Sequence, residues 1–275
     1  MRDACTLVQE LAPTDSAVLI LGESGTGRSL VAKALYDGSV RTGRKFEIVD
    51  CGTHCTREWK AIVEGAAGGT LFLRNADEIE PAEGAAFASV VEALEPGEQA
   101  GGPPRMVASA EATRQARLEC FGGKLVTAWA SATIELQPLR KRRADLLPLI
   151  YHLFLAGVGP GGKVPLMETD VCLIIEQYDW PGNAGELAGM VRDILSRGPV
   201  EKICKQLLPP AVLEKVGHVV SSATAADLRQ EFMAGLGLKK FMNKTGRDAA
   251  QRMMESANAT GAKPTSPRTM LKKKI

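Results

Sequence analysis

Short uninterrupted apolar runs alternate with helical spacings through the first half of the chain. Residues 17–21, Ala-Val-Leu-Ile-Leu, end at a glycine and predict a buried strand. From Arg28 the apolar positions Leu30, Val31, Ala34 and Leu35 recur at helical spacing. Residues 46–49, 70–73, 106–108 and 132–136 predict four more strands, with helical stretches near Trp59 and over 85–94. Strands alternating with helices predict a parallel sheet covered on both faces. From Asp145 the pattern is helical only, over 146–155, 168–177 and 183–195. Pro209 and Pro210 interrupt that run, and Ser221-Ser222-Ala223-Thr224 predicts a linker. The expected division is an α/β core over 1–143, a helical lid over 144–220 and a tail over 221–275.

Composition changes this picture little, and charge distribution changes it more. The 275 residues are 45% hydrophobic with a net charge of only +2. From Asp227 to Ile275, however, eleven basic residues face four acidic ones, so the tail is strongly basic and the remainder net acidic. A basic terminal segment suits nucleic acid, and a solvated tail has the same composition. The six cysteines are scattered, and Cys51, His54 and Cys55 lack a second ligand pair at metal-site spacing, so no metal is expected there. No run approaches about 18 uninterrupted apolar residues, and a cytoplasmic protein without membrane contact is expected.

The candidate chemistry lies at the end of the first strand. Gly22, Glu23, Ser24, Gly25, Thr26, Gly27, Arg28 and Ser29 follow a strand and open a helix, the context that a Walker A phosphate loop requires. Glycines there let backbone N–H groups converge on phosphates at the positive end of a helix. Where the pattern has lysine, this chain has Arg28, which keeps the charge but carries it on a bulkier planar fork. Ser29 keeps the hydroxyl that such loops offer to magnesium. A glycine-rich turn without nucleotide has the same residues, so binding itself is open at this point.

Four motifs occur in one order: Gly-Glu-Ser-Gly-Thr-Gly from Gly22, Gly68-Gly69-Thr70-Leu71-Phe72-Leu73, Pro138-Leu139-Arg140-Lys141-Arg142-Arg143-Ala144-Asp145, and Asp179-Trp180-Pro181-Gly182-Asn183. Over roughly residues 5–200 the chain resembles the central domain of the bacterial enhancer-binding proteins, the AAA+ activators that remodel sigma-54 RNA polymerase. The resemblance implies an AAA+ P-loop parallel sheet, a helical lid domain and a small basic helical C-terminal segment. It implies ATP or ADP at residues 22–29, with an AAA+ homologue or the chain itself as oligomeric partner.

Against that family's pattern several positions differ. The Walker B strand continues into Arg74 and Asn75 instead of Asp-Glu, and a guanidinium there repels the magnesium that the acid supports. The sensor after the fourth strand is Ser109-Ala110-Glu111, the two inserted arginine fingers align with Gly122 and Ala128, and the lid arginine aligns with Gly185. Trp59 runs almost directly to Gly68, which leaves no room for the loop that contacts sigma-54. These losses imply no catalytic residues, weak nucleotide binding and doubtful magnesium. Asp77 and Glu78 supply an acid only if the register slips, which would leave an active ATPase.

Family members commonly end in a helix-turn-helix of the factor-for-inversion type. Here residues 246–258 predict one helix, and Ser266 and Pro267 suit the N-cap and first turn of a second. Arg268, Thr269, Lys272, Lys273 and Lys274 would face outward from it toward DNA. The expected function is a non-hydrolysing transcriptional regulator. The alternatives are a subunit that joins or inhibits an active AAA+ homologue, and the ATPase using Asp77 or Glu78.

Overall fold

The apolar runs become strands because both of their faces are covered. A computed structural model of the chain describes residues 2–53, 58–94, 102–159 and 162–216. In chain order these begin with α1 (Arg2–Leu11), β1 (Val18–Gly22), α2 (Arg28–Asp37), β2 (Phe46–Asp50), α3 (Trp59–Gly65) and β3 (Thr70–Arg74). There follow α4 (Pro81–Glu92), β4 (Arg105–Ala110), a long 3-10 segment (Ala112–Phe121), α5 (Gly123–Ser131) and β5 (Thr133–Leu136). The strands form one parallel sheet in the order β2-β3-β4-β1-β5. The chain crosses over at β1, so the crevice beyond the carboxyl ends of β1 and its neighbours is where ligands bind in such sheets.

Side chains on each strand alternate between two cores, as a period of two demands. Leu19, Leu21, Leu71, Leu73, Met106 and Ala108 pack with Trp59, Val63, Phe87, Phe121 and Trp129. Val18, Ile20, Phe72, Val107 and Ile134 pack on the other face with Ala4, Ala32 and Leu35. The first core contains an edge-on aromatic series, with centroids 4.9 Å apart for Trp59–Phe87, 5.7 Å for Phe87–Phe121 and 5.3 Å for Phe121–Trp129. Such pairs add about 0.5–1.5 kcal/mol each beyond area burial. They fix α3, α4, the 3-10 segment and α5 against one another.

One wholly internal charge escapes notice in the sequence. Arg105 opens β4, is buried, and donates to the carbonyls of Ser16 (3.1 Å), Ala12 (3.0 Å) and Leu11 (2.7 Å). Its guanidinium therefore ties the turn between α1 and β1 to the sheet. Burial lowers its hold on its proton below the usual arginine value, while nearby Asp15 works the other way.

The lid consists of α6 (Leu146–Val158), α7 (Thr169–Gln177), α8 (Asn183–Ser196) and α9 (Pro210–Val216). Two features depart from the helical pattern. A two-residue parallel pairing joins β6 (Leu166–Met167) to β7 (Lys202–Ile203). Pro210 does not break the lid but occupies the first position of α9, where its missing N–H and fixed φ cost nothing. Trp180 is fully buried at the base of the lid, with Nε1 donating to Ile175 O at 2.9 Å and its ring edge-on to Tyr178. All described residues up to Lys215 fall in one compact unit, residues 1–215. The linker at 221–224 and Arg268, Thr269, Lys272, Lys273 and Lys274 lie outside the described residues, as do His54 and Cys55.

Candidate nucleotide-binding site

The loop between β1 and α2 is held open by its backbone and by the lid. Gly25 and Gly27 have φ of +75° and +104°, a region that other residues enter only with strain. Gly27 caps α2, so the first N–H groups of that ten-residue helix face the loop. Four consecutive carbonyls of the loop are each taken by a donor. Glu23 O accepts from Thr26 Oγ1 at 2.7 Å and Ser24 O from Asn183 Nδ2 at 2.9 Å. Gly25 O accepts from Gly185 N at 3.2 Å, and Thr26 O from Arg142 Nη2 at 3.4 Å. Three of those donors come from the segment that begins at Arg140. The carbonyls of Ser24, Gly25 and Thr26 are thus held from outside the loop, while the Thr26 N–H closes a turn on Glu23 O at 3.3 Å.

Asn183 is the hinge pin of that contact. It is fully buried at φ +52°, its Oδ1 accepts from Leu139 N at 2.8 Å, and its Nδ2 also lies 3.3 Å from Glu23 Oε2. Glu23 is further gripped by a two-pronged bond from Arg140, with Nη1 to Oε2 at 2.7 Å. The Arg140 bond is the largest influence on the Glu23 carboxyl; burial opposes it, Asn183 assists, and the net effect is to hold its pKa below 4.5. A depressed carboxylate stabilises the fold above its ordinary pKa, and that contribution fades as pH falls through the lowered value. Both side chains are about one-third exposed, so the contribution is modest and weakened by salt.

At the far side of the cleft the ends of β2, β3 and β4 carry a polar chain. Arg28 Nη2 donates to Asn75 Oδ1 at 3.0 Å, Asn75 Nδ2 to Asp50 Oδ1 at 3.3 Å, and the Asn75 N–H to Ser109 Oγ at 3.2 Å. Arg74 forms an ion pair with Asp50. Burial is the largest influence on Asp50 and raises its pKa, but the bonds from Arg74, Gly52 N and Asn75 together outweigh it and leave it lowered. Asn75 sits at φ +54°, a left-handed conformation that asparagine tolerates better than most residues.

The remaining candidates make contacts of their own, and Glu78 stays beside the chain: its N–H donates to Asn75 O at 2.9 Å, and its Oε2 and Asp50 Oδ1 both lie against Gly52. Asp77 is buried, accepts from Glu111 N at 3.2 Å and lies 3.9 Å from Arg114 Nη1. Glu78 and Glu111 both pair with Arg114, at 3.8 and 3.5 Å. Gly122 closes the 3-10 segment and Ala128 lies within α5. Gly185 lies in α8, directly against Gly25. Ser29 is exposed at the start of α2. Among the described residues no group of three or more His, Cys, Asp or Glu is placed to hold a metal ion, and no helix is long and apolar enough to cross a membrane.

Comparison with known proteins matches this geometry to one family. The sigma-54 interaction domain matches residues 1–61, and the AAA+ ATPase lid domain matches residues 140–225. The Nif-specific regulatory protein of Azospirillum lipoferum is 31% identical over 218 residues, covering 70% of this chain and 35% of that protein. The chain belongs to the sigma-54 activator family. A second relative, the putative uric acid sigma-54-dependent transcriptional regulator UacR of Escherichia coli (strain K12), is 28% identical over 92% of this chain and 48% of its own length. The chain thus spans about a third to a half of the length of these curated relatives. NtrX from Brucella abortus, solved in complex with ATP, aligns with a TM-score of 0.63 at 22% identity, covering 93% of this chain and 67% of that one, which shows a shared fold.

Within the sigma-54 activator family, the positions not marked by the motifs as site residues are those whose side chains hold the loop or its opposite wall in place. Asn183, Arg142 and Asp50 each belong to recognisable motifs or strand ends, but nothing in their spacing signals that they bond the phosphate loop or its opposite wall. The direct juxtaposition of Gly25, Gly182 and Gly185 is likewise a tertiary fact. A Cβ on Gly25 would lie 2.1 Å from Gly182 O.

Proposed function

We propose that this chain is a non-hydrolysing transcriptional regulator derived from sigma-54 activators, acting in the cytoplasm and holding nucleotide only passively at residues 22–29. The observation that carries this is the chain Arg28–Asn75–Asp50–Arg74, in which the groups facing the phosphate loop bond one another. The loop itself fits phosphates: it leads into the N-terminus of α2, and Arg28 Nη1 is buried without a hydrogen-bond partner among the described residues. The opposite wall does not fit magnesium, because a guanidinium stands on its carboxylate and an amide takes the adjacent position. A bound nucleotide would meet a wall whose cation, Arg74, is already matched by the Asp50 carboxylate. Gly122, Ala128 and Gly185 offer no charged side chain at the finger and lid positions. Asp77 and Glu78 are engaged with Glu111 and Arg114, which disfavours their recruitment.

The seven-residue α3 is followed by only four residues before β3, which supports loss of the sigma-54-contacting loop. Returning the acid pair with Arg74→Asp and Asn75→Glu tests the proposal. The variant is expected to bind ATP about tenfold more tightly when magnesium is added, a coupling of about 1.4 kcal/mol. The unaltered chain is expected to show no such gain, and a tenfold gain in it would refute the proposed wall.

The partner proposed is DNA, through Arg268, Thr269, Lys272, Lys273 and Lys274. Log affinity should fall with log salt at about −0.9 per phosphate contact, so Lys272→Ala, Lys273→Ala and Lys274→Ala together should flatten the slope by up to about three units. Substituting Arg268 or Thr269 should instead reduce the preference among sequences. Absence of DNA binding in an anisotropy salt series would favour the second proposal, a subunit that joins an active homologue's ring and, with Gly122 and Ala128, contributes no finger to it.

A further inference from the structure

We draw no further inference here: the strongest candidate, the shallow groove between α3 and α4 lined by Trp59, Ala61, Ala86 and Val90, is an apolar face, and nothing in the structure shows what covers it.

Discussion

Replacing Gly25 by alanine is expected to destabilise the protein by about 3–4 kcal/mol and to loosen the lid from the phosphate loop. Two costs combine. At φ +75° an alanine pays about 1–2 kcal/mol for the left-handed backbone. Its Cβ would also stand 2.1 Å from Gly182 O and 3.3 Å from Gly185 N, so the start of α8 must move. That movement withdraws Asn183 from Ser24 O and Gly185 N from Gly25 O, and the loop loses the contacts that hold its carbonyls from outside. Gly43 supplies the control. It has φ +86° with nothing within 4 Å of an added Cβ, so Gly43→Ala should cost only the backbone term of about 1–2 kcal/mol. Urea unfolding of both variants measures the difference. Equal losses would mean that lid and loop are not in direct contact.

Arg105→Met should cost about 3 kcal/mol in the same assay. Methionine replaces the volume of the stem but removes the Arg105 donor from the carbonyls of Ala12 and Ser16, and Ala12 is itself buried; Leu11 O keeps the Thr14 N–H at 3.1 Å and Thr14 Oγ1 at 2.8 Å. Hydrogen bonds to charged groups are each worth about 1.5–3 kcal/mol, and water entering the turn recovers part of the loss. Arg105→Lys should recover less than half, since one ammonium does not span three carbonyls from a planar fork. A loss below about 1 kcal/mol, the range of an ordinary surface change, would show that the bonds to the α1–β1 turn are dispensable.

The fold was legible because its strands are buried on both faces. Val18 to Leu21, Leu71 to Leu73 and Met106 to Ala108 are continuous apolar runs, the form that a covered parallel sheet imposes. The segment from Ala112 to Ser131 was not legible, since its buried positions Leu118, Phe121, Leu125 and Trp129 are split between a 3-10 stretch and a helix. No single period spans both. Pro210 misled as a breaker because a proline in a first turn and one that ends a helix have the same neighbours. At the site, Gly22 to Ser29 announced the phosphate loop by composition. Arg74 and Asn75 stood out only against the family pattern. What sequence could not give was who bonds whom. Asp50, Asn183 and Arg142 are far apart in the chain, and their meeting around the loop follows from sheet order and lid packing.

The central claim is that this cleft performs no chemistry on ATP. The most direct test mixes the full chain, in excess, with ATP and magnesium and follows the bound nucleotide by chromatography. A site turning over at even about 1 s⁻¹, the low end of ordinary enzyme rates, would convert all of it within seconds. The account predicts that the nucleotide remains ATP, with ADP no higher than in a protein-free control. Stoichiometric, magnesium-dependent conversion to ADP that disappears in Asp50→Ala, Asp77→Ala or Glu78→Ala would contradict it.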